Sequence, residues 1–247
     1  KKLKDNNIDY IILGNGSNII LASDYYDKVI IKLDKLNNIT FNDNIVKVES
    51  GYPLPKLSLE ILKHNLTGLE FASGIPGLVG SSVAMNAGAY NKSMADVVKE
   101  ITILDENLNI KVLKNDELKF RYRDSLLKEN KKLIVLEVTL ELEHGDILEA
   151  KKLIETRRQR RISSQPLNYP SSGSVFRNPE GMHAGELIEK CNLKGYNING
   201  AEVSEKHANF IINKDNCKGS DIINLINLIK NKVKEKYNID LILEQEI

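Results

Sequence analysis

Only two cysteines occur in the 247 residues, Cys191 and Cys217, and they lie far apart. They form neither a metal pair nor a disulfide framework, which points to a reducing, cytoplasmic setting. Histidine is scarce too. His64, His144, His183 and His207 show no ligand spacing, so no metal is expected. Charge of one sign is also lacking: the formal net charge is +1, which gives no reason to expect a nucleic-acid or membrane-surface partner. No internal repeat, low-complexity segment or secretory signal pattern is present. The length suits two modest domains or one large one.

One stretch lacks charge altogether, in a chain that is 28% charged: Phe71 to Tyr90, FASGIPGLVGSSVAMNAGAY. Its length would permit a membrane span. Its composition does not, because eleven of the twenty residues are Gly, Ala or Ser and Pro76 interrupts it. Each glycine weakens a helix by roughly 1 kcal/mol relative to Ala, and strands tolerate glycine poorly. Irregular backbone lined by small side chains is expected. Such backbone lets a flat or phosphorylated ligand approach closely and leaves N–H groups to donate. A tightly packed internal loop is the other reading.

The remaining pattern is α+β. Strands are expected at 10–13, 29–33, 45–50, 97–104, 109–114, 133–143, 209–213 and 240–244. Helices are expected at 55–64, from a capping box at Asp146 and Glu149 to about Arg161, at 184–191 and at 221–236. Ile222, Ile226, Ile229 and Val233 share one face of the last helix, which is core spacing. Pro166 and Pro170 mark a long turn and a candidate domain boundary.

Several short motifs carry possible chemistry. LGNGSN at 13–18 follows a strand and resembles the start of a dinucleotide fingerprint. It fails the full pattern, since Ile19 replaces the third Gly or Ala and the following residues read as strand. A phosphate-cradling turn of another kind, or a plain turn, remains. YRDS at 122–125 offers Arg123, whose planar guanidinium suits a carboxylate or phosphate; an internal ion pair with Asp124 is the alternative. The four arginines of 157–161 fit a solvated helix C-terminus. Ser174, in YPSSGSVFRNP, does not sit in a nucleophile elbow but suits a positioned proton donor or a structural turn. His207 suits a base or a satisfied structural histidine. Glu244 and Glu246 fall on one face of the closing strand.

In order, LGNGSN, GIPGLVGSSVAMNAGAY, YRDS, QPLNYPSSGSVFRNP, AGELIEKCNLKGYNINGAEVSEKHANFIIN and LEQEI closely resemble the UDP-N-acetylenolpyruvoylglucosamine reductase family over residues 10–247. The resemblance implies an FAD-binding domain of the vanillyl-alcohol-oxidase (PCMH) type, in two lobes, over 1–162. A smaller α+β substrate domain would cover 163–239, and 240–247 would return as a strand to the FAD domain. The opening residues are then expected to follow an upstream segment of the first lobe. The absence of a long insertion suggests the shorter of the family's two types. The implied activity is NADPH-dependent reduction of UDP-N-acetylglucosamine enolpyruvate to UDP-N-acetylmuramate for peptidoglycan, by a cytoplasmic monomer with no membrane or nucleic-acid partner. Alternatives are another FAD oxidoreductase of the superfamily, acting on an alcohol or hydroxy acid, and a catalytically inactive nucleotide-binding module.

By motif match, the resemblance implies non-covalent FAD held by Gly14, Asn15, Gly16, Ser17, Asn18, Gly74, Pro76, Gly77, Gly80, Ser81, Ser82, Asn86, Ala87 and Gly88. Ser174 would donate a proton, Arg123 would bind the substrate carboxylate and Glu246 would support the transfer. Asn178 and Arg161 would contact the sugar nucleotide. Three departures stand out: Gly80-Ser81-Ser82 where the family usually has Gly-Gly-Ala, Asn91 for a usual Gly, and Gln245 for a usual Pro.

Overall fold

The computed structural model describes residues 1–23 and 25–247. The chain divides into two compact units, one of residues 1–15 and 28–159, the other of 16–27 and 160–247.

The first unit is built on a five-stranded antiparallel sheet. Its strand order is Ile39–Asn42, Ile45–Glu49, Ile134–Glu141, Val98–Leu104, Ile110–Lys114. The central strand places Val138 opposite Val48 on one side and Ile101 on the other, all fully buried. A register shift between Val135 and Glu137 moves the buried face by one residue, so Val135, Val138 and Leu140 all point inward. The helix Leu54–Glu60 and the 3-10 turn Ile61–His64 bury Leu54, Leu57, Ile61 and Leu62 in the same core. Each such side chain contributes about 1.5–3 kcal/mol. A parallel pair, Tyr10–Leu13 with Val29–Lys32, lies outside this sheet.

The uncharged stretch is not irregular throughout, as its glycines led us to expect. Val79–Ala84 forms a six-residue helix. Its first amides are engaged from outside: Val79 N–H donates to Tyr52 O and Gly80 N–H to Ser50 O, each at 2.9 Å. Partners for these otherwise unsatisfied donors offset the poor helix propensity. Gly88–Ala89 then pairs with Lys92–Ser93 across Tyr90 and Asn91, whose φ values are +56° and +59°. A two-residue turn of this kind needs left-handed backbone at both positions. Asparagine tolerates that region, which explains how Asn91 fills a usual glycine's place.

In the second unit, the strands Asn197–Ile198, Ala201–Val203 and Ile211–Asn213 form an antiparallel sheet. The helix Gly219–Tyr237 buries Leu225, Ile226, Ile229 and Val233, and Val175 and Phe176 join the same core. Ile222 is only partly buried. Gly219 is required here, since a Cβ on it would lie 1.8 Å from Leu21 O.

Two expected strands are absent. Residues 19–23 and 240–244 make only isolated bridges, Ile19 with Glu246 and Phe176 with Leu243. Each segment is held by single bonds to different partners rather than by a ladder. By contact, residues 240–247 group with the second unit, which also contains 16–27, where Ile19 bridges Glu246; the unit boundary within the long helix Ile147–Ser164 falls between 159 and 160. Of the hairpin 39–49 only the second strand was expected, and the first strand and the strands within 197–203 had no clear alternating signal.

Candidate active site

In the first unit, two of the predicted ligand-facing segments meet. Asn15 Nδ2 donates to Pro76 O at 3.3 Å. A Cβ on Gly14 would sit 2.6 Å from Ser81 Oγ, and one on Gly80 would sit 2.6 Å from Ser50 Cβ. These glycines therefore allow close packing of protein on protein. The Ser81 hydroxyl donates to Leu78 O at 3.0 Å, within its own helix. The N–H groups of Ile75, Gly77, Val79, Gly80, Asn86 and Ala87 are also engaged by protein carbonyls. The expectation of a largely unengaged row of donors is thus corrected. A ligand placed against this stretch would meet its remaining amides and its small side chains.

Asn86 has a different job from the one predicted. It is buried, its Nδ2 donates to Arg121 O at 2.9 Å, and its Oδ1 accepts from Ala95 N–H at 3.0 Å. Both ends of the amide brace backbone. The brace matters because Arg121 begins the turn that carries Arg123. Arg121 and Asp124 exchange backbone hydrogen bonds at 3.0 and 3.1 Å, and Arg123 sits at φ +56°. Asp124 pairs with Arg121 at 3.1 Å, and Arg121 also pairs with Glu129. Buried Ser125 ties the far end of the turn down by donating to Ala84 O at 2.6 Å. The Arg123 guanidinium lies 5.3 Å from the centre of the Tyr122 ring.

The second unit gathers Ser174, Glu246, Asn178 and Arg161, with Gly16, Ser17 and Asn18. Gly16 has φ +72°, and nothing lies within 4 Å of where its Cβ would be, so this backbone faces open space. Asn18 does not: its Nδ2 donates to Glu244 O at 3.0 Å, and its carbonyl accepts from Glu246 N–H at 3.0 Å. Ile20 N–H returns a bond to Glu246 O at 2.9 Å. The glutamate's backbone is thereby fixed on both sides.

Ser174 is half-buried and follows Gly173, which has φ +79°. Its turn is braced from two directions. Asn209 is buried; its Oδ1 accepts from Phe176 N–H at 3.0 Å and its Nδ2 donates to Phe176 O at 2.8 Å. Buried Gln245 donates to Ser172 O at 2.9 Å and Gly173 O at 3.2 Å. Asn178 Oδ1 accepts from Ala184 N–H at 3.0 Å, at the start of the helix Ala184–Lys190. Arg161 Nε donates to Gln165 Oε1 at 2.9 Å. His207 Nδ1 accepts from Asn209 N–H at 3.2 Å, and burial pushes its pKa down. That is a satisfied structural histidine rather than a base.

The braces Asn209 and Gln245 were missed as functional positions. Gln245 had one signal, its departure from a usual proline; Asn209 had none. The residues of the first unit fit a flavin nucleotide. Its turn and small-residue stretch approach closely, and the buried Ser50 Oγ, whose residue packs against Gly80, has no hydrogen-bond partner.

Comparison with known proteins gives a consistent picture. The family model for the C-terminal domain of UDP-N-acetylenolpyruvoylglucosamine reductase matches residues 165–247. That for an FAD binding domain matches residues 1–112. The chain is 47% identical over 245 residues to a UDP-N-acetylenolpyruvoylglucosamine reductase of Caldanaerobacter subterraneus subsp. tengcongensis, covering 99% of this chain and 81% of the relative. It is 45% identical over 247 residues to one of Clostridium perfringens, covering 100% of this chain and 81% of the relative. The crystal structure of the Thermus caldophilus reductase superposes with a TM-score of 0.84 at 32% identity, covering 98% of this chain and 86% of that one.

Proposed function

The chain belongs to the UDP-N-acetylenolpyruvoylglucosamine reductase family, and from that premise we propose that it reduces the enolpyruvyl group of UDP-N-acetylglucosamine enolpyruvate, with NADPH as reductant. It is an FAD-dependent oxidoreductase by family. The product would be UDP-N-acetylmuramate, a peptidoglycan precursor. Among the described residues no helix is long and apolar enough to cross a membrane.

FAD, when bound, supplies the hydride that NADPH provides. Gly14, Asn15, Gly16, Ser17, Gly74, Pro76, Gly77, Gly80, Ser81, Ser82, Ala87 and Gly88 would hold it. At the substrate, negative charge develops on the carbon beside the carboxylate and spreads into it. Arg123 answers that charge with a planar two-pronged donor. Ser174 donates the proton that the same carbon then needs. A serine is a weak acid, so its use requires neighbours that stabilise the alkoxide or return a proton; Glu246 is assigned that support. Asn178, through its Nδ2, and Arg161 would contact the sugar nucleotide.

The observation that carries this reading is the presence of both family matches, FAD-binding and C-terminal reductase, on one chain. The test is a two-step anaerobic titration. NADPH should bleach the flavin, and the enolpyruvyl nucleotide should restore its colour without oxygen. Restoration by simple aldehydes or ketones but not by the nucleotide would overturn the assignment.

A further inference from the structure

We propose that Gln245 is a positioning residue that sets the direction of the Ser174 hydroxyl by clamping the two peptide groups before it. The proposal rests on the reading of Ser174 as proton donor. Gln245 Nε2 reaches Ser172 O at 2.9 Å and Gly173 O at 3.2 Å, so one amide nitrogen bridges two successive carbonyls. The peptide plane is rigid, with C=O and N–H pointing in opposite directions. Fixing Gly173 O toward Gln245 therefore fixes the plane that joins Gly173 to Ser174, and turns the Ser174 N–H away from the clamp.

The clamp is needed because of the residue it holds. Gly173 sits at φ +79°, and no atom lies within 4 Å of its missing side chain. Glycine reaches many conformations at little cost, so nothing local keeps this one. Downstream, Val175 N–H donates to Asn209 O at 2.9 Å and Glu244 N–H to Val175 O at 2.9 Å. Those bonds hold the chain after Ser174. Upstream, Ser172 Oγ donates to Ile19 O at 2.8 Å. Gln245 supplies the bonds that span the interval between them, at the two peptides preceding Ser174.

The side chain is buried, so it is also pre-ordered. Its neighbours Glu244 and Glu246 are fixed through their backbones to Val175, Asn18 and Ile20. A residue without a side-chain donor at 245 would leave both carbonyls without these bonds. Gln245 also lines an open cleft of about 240 Å³ with Ile20, Ser171, Ile211 and Ile222. A leucine therefore fits at 245 without overpacking.

The experiment compares Gln245→Leu, Gln245→Glu and Ser174→Ala in the FAD-loaded enzyme. Flavin absorbance is followed separately for reduction by NADPH and reoxidation by the enolpyruvyl nucleotide, and hydrogen exchange is followed in a peptide spanning 171–177. Gln245→Leu should slow reoxidation by roughly 10–10²-fold, as small misplacements of a catalytic group do. Reduction should stay within about twofold, and exchange at 174–176 should speed up. Gln245→Glu keeps the shape but, ionised, has no donor. Its reoxidation rate relative to wild type should rise as the pH falls toward about 5, where a carboxyl regains one proton. A merely structural glutamine predicts equal losses in both half-reactions and no such pH dependence, and that result overturns the proposal. Unchanged exchange and unchanged reoxidation in Gln245→Leu overturn it as well. If Gln245→Leu loosens the turn while Ser174→Ala leaves reoxidation intact, the clamp is structural alone. The assignment of Ser174 then fails, and the proposal fails with it.

Discussion

The Arg123 turn of the first unit and the Ser174 turn of the second solve one problem in opposite ways. Both present a side chain with a proposed role at the substrate from backbone at or beside a left-handed residue: Arg123 itself at φ +56°, and Gly173 before Ser174 at φ +79°. The Arg123 turn is closed by its own backbone, by Arg121 with Asp124, and is anchored at its ends by Asn86 and Ser125. The Ser174 turn has no such self-closure. It is held by groups remote in sequence: the side chains of Asn209 and Gln245, the Ser172 hydroxyl on Ile19 O, and backbone bonds joining Val175 to Asn209 and Glu244. A guanidinium on a long stem tolerates small errors in its base. A hydroxyl one carbon from the backbone does not, so its turn needs the more extensive brace.

The largest expected effect sharpens that contrast at the reacting groups. Ser174→Ala should slow flavin reoxidation by the enolpyruvyl nucleotide by about 10²–10⁴-fold, the usual cost of losing a positioned general acid. Flavin reduction by NADPH should stay within a few fold. Stopped-flow absorbance of each half-reaction decides it, and equal losses in both would remove Ser174 from the mechanism. Arg123→Lys should act in the same direction but more weakly, because a flexible point charge still reaches the carboxylate while losing the fork.

Next in size is a change to the anchor rather than to the turn. Asn86→Ala leaves Arg121 O and Ala95 N–H without these partners, and each lost, partly buried bond costs about 0.5–1.5 kcal/mol. A fall in thermal midpoint and a raised KM for the enolpyruvyl nucleotide are expected together. Loss of flavin with unchanged KM would return Asn86 to the cofactor wall. Gly80→Ala probes the wall itself: its Cβ would meet Ser50 Cβ at 2.6 Å, and overpacking of this kind costs typically 1–3 kcal/mol. The equilibrium constant for flavin binding, read by fluorescence, should weaken alongside the thermal midpoint.

Much of this molecule was legible in its sequence, and the failures share a cause. The central strands announced themselves by alternation, as in LIVLEVTLELE, and the last helix by Ile226, Ile229 and Val233. The small-residue stretch was read as irregular backbone, and its helix Val79–Ala84 was missed because its first amides are satisfied by carbonyls of Ser50 and Tyr52. Likewise Asn18 and Asn86 were marked as ligand contacts because they stand in glycine-rich motifs. Their amides serve backbone carbonyls at Glu244 and Arg121, remote in sequence. Which way an asparagine turns is decided by tertiary neighbours, and a motif cannot show it. The order of motifs gave the family; the direction of each side chain needed the fold.

The smallest expected effect concerns pH, and it tests how firmly the Asn209 brace is held. His207 Nδ1 accepts from Asn209 N–H at 3.2 Å, and the ring meets Phe210 edge-on with centres 4.8 Å apart. An accepting Nδ1 requires the neutral ring. Burial, with a lesser contribution from the charge of Lys194, pushes the pKa below the ordinary value of 6.5. As the pH falls through that value, the unfolded chain takes up a proton that the folded chain refuses. Stability contributed by the neutral ring is therefore fully present above the unfolded pKa, and it declines below it until the folded pKa is reached. The thermal midpoint of the wild type should drop more between about pH 7.5 and about pH 5.5 than that of His207→Gln, whose side chain can still accept a bond but does not titrate. The same acidification should raise hydrogen exchange at Asn209 and Phe176 in the wild type but not in the variant. If both proteins show the same slope, His207 does not couple to the Asn209 brace of the Ser174 turn.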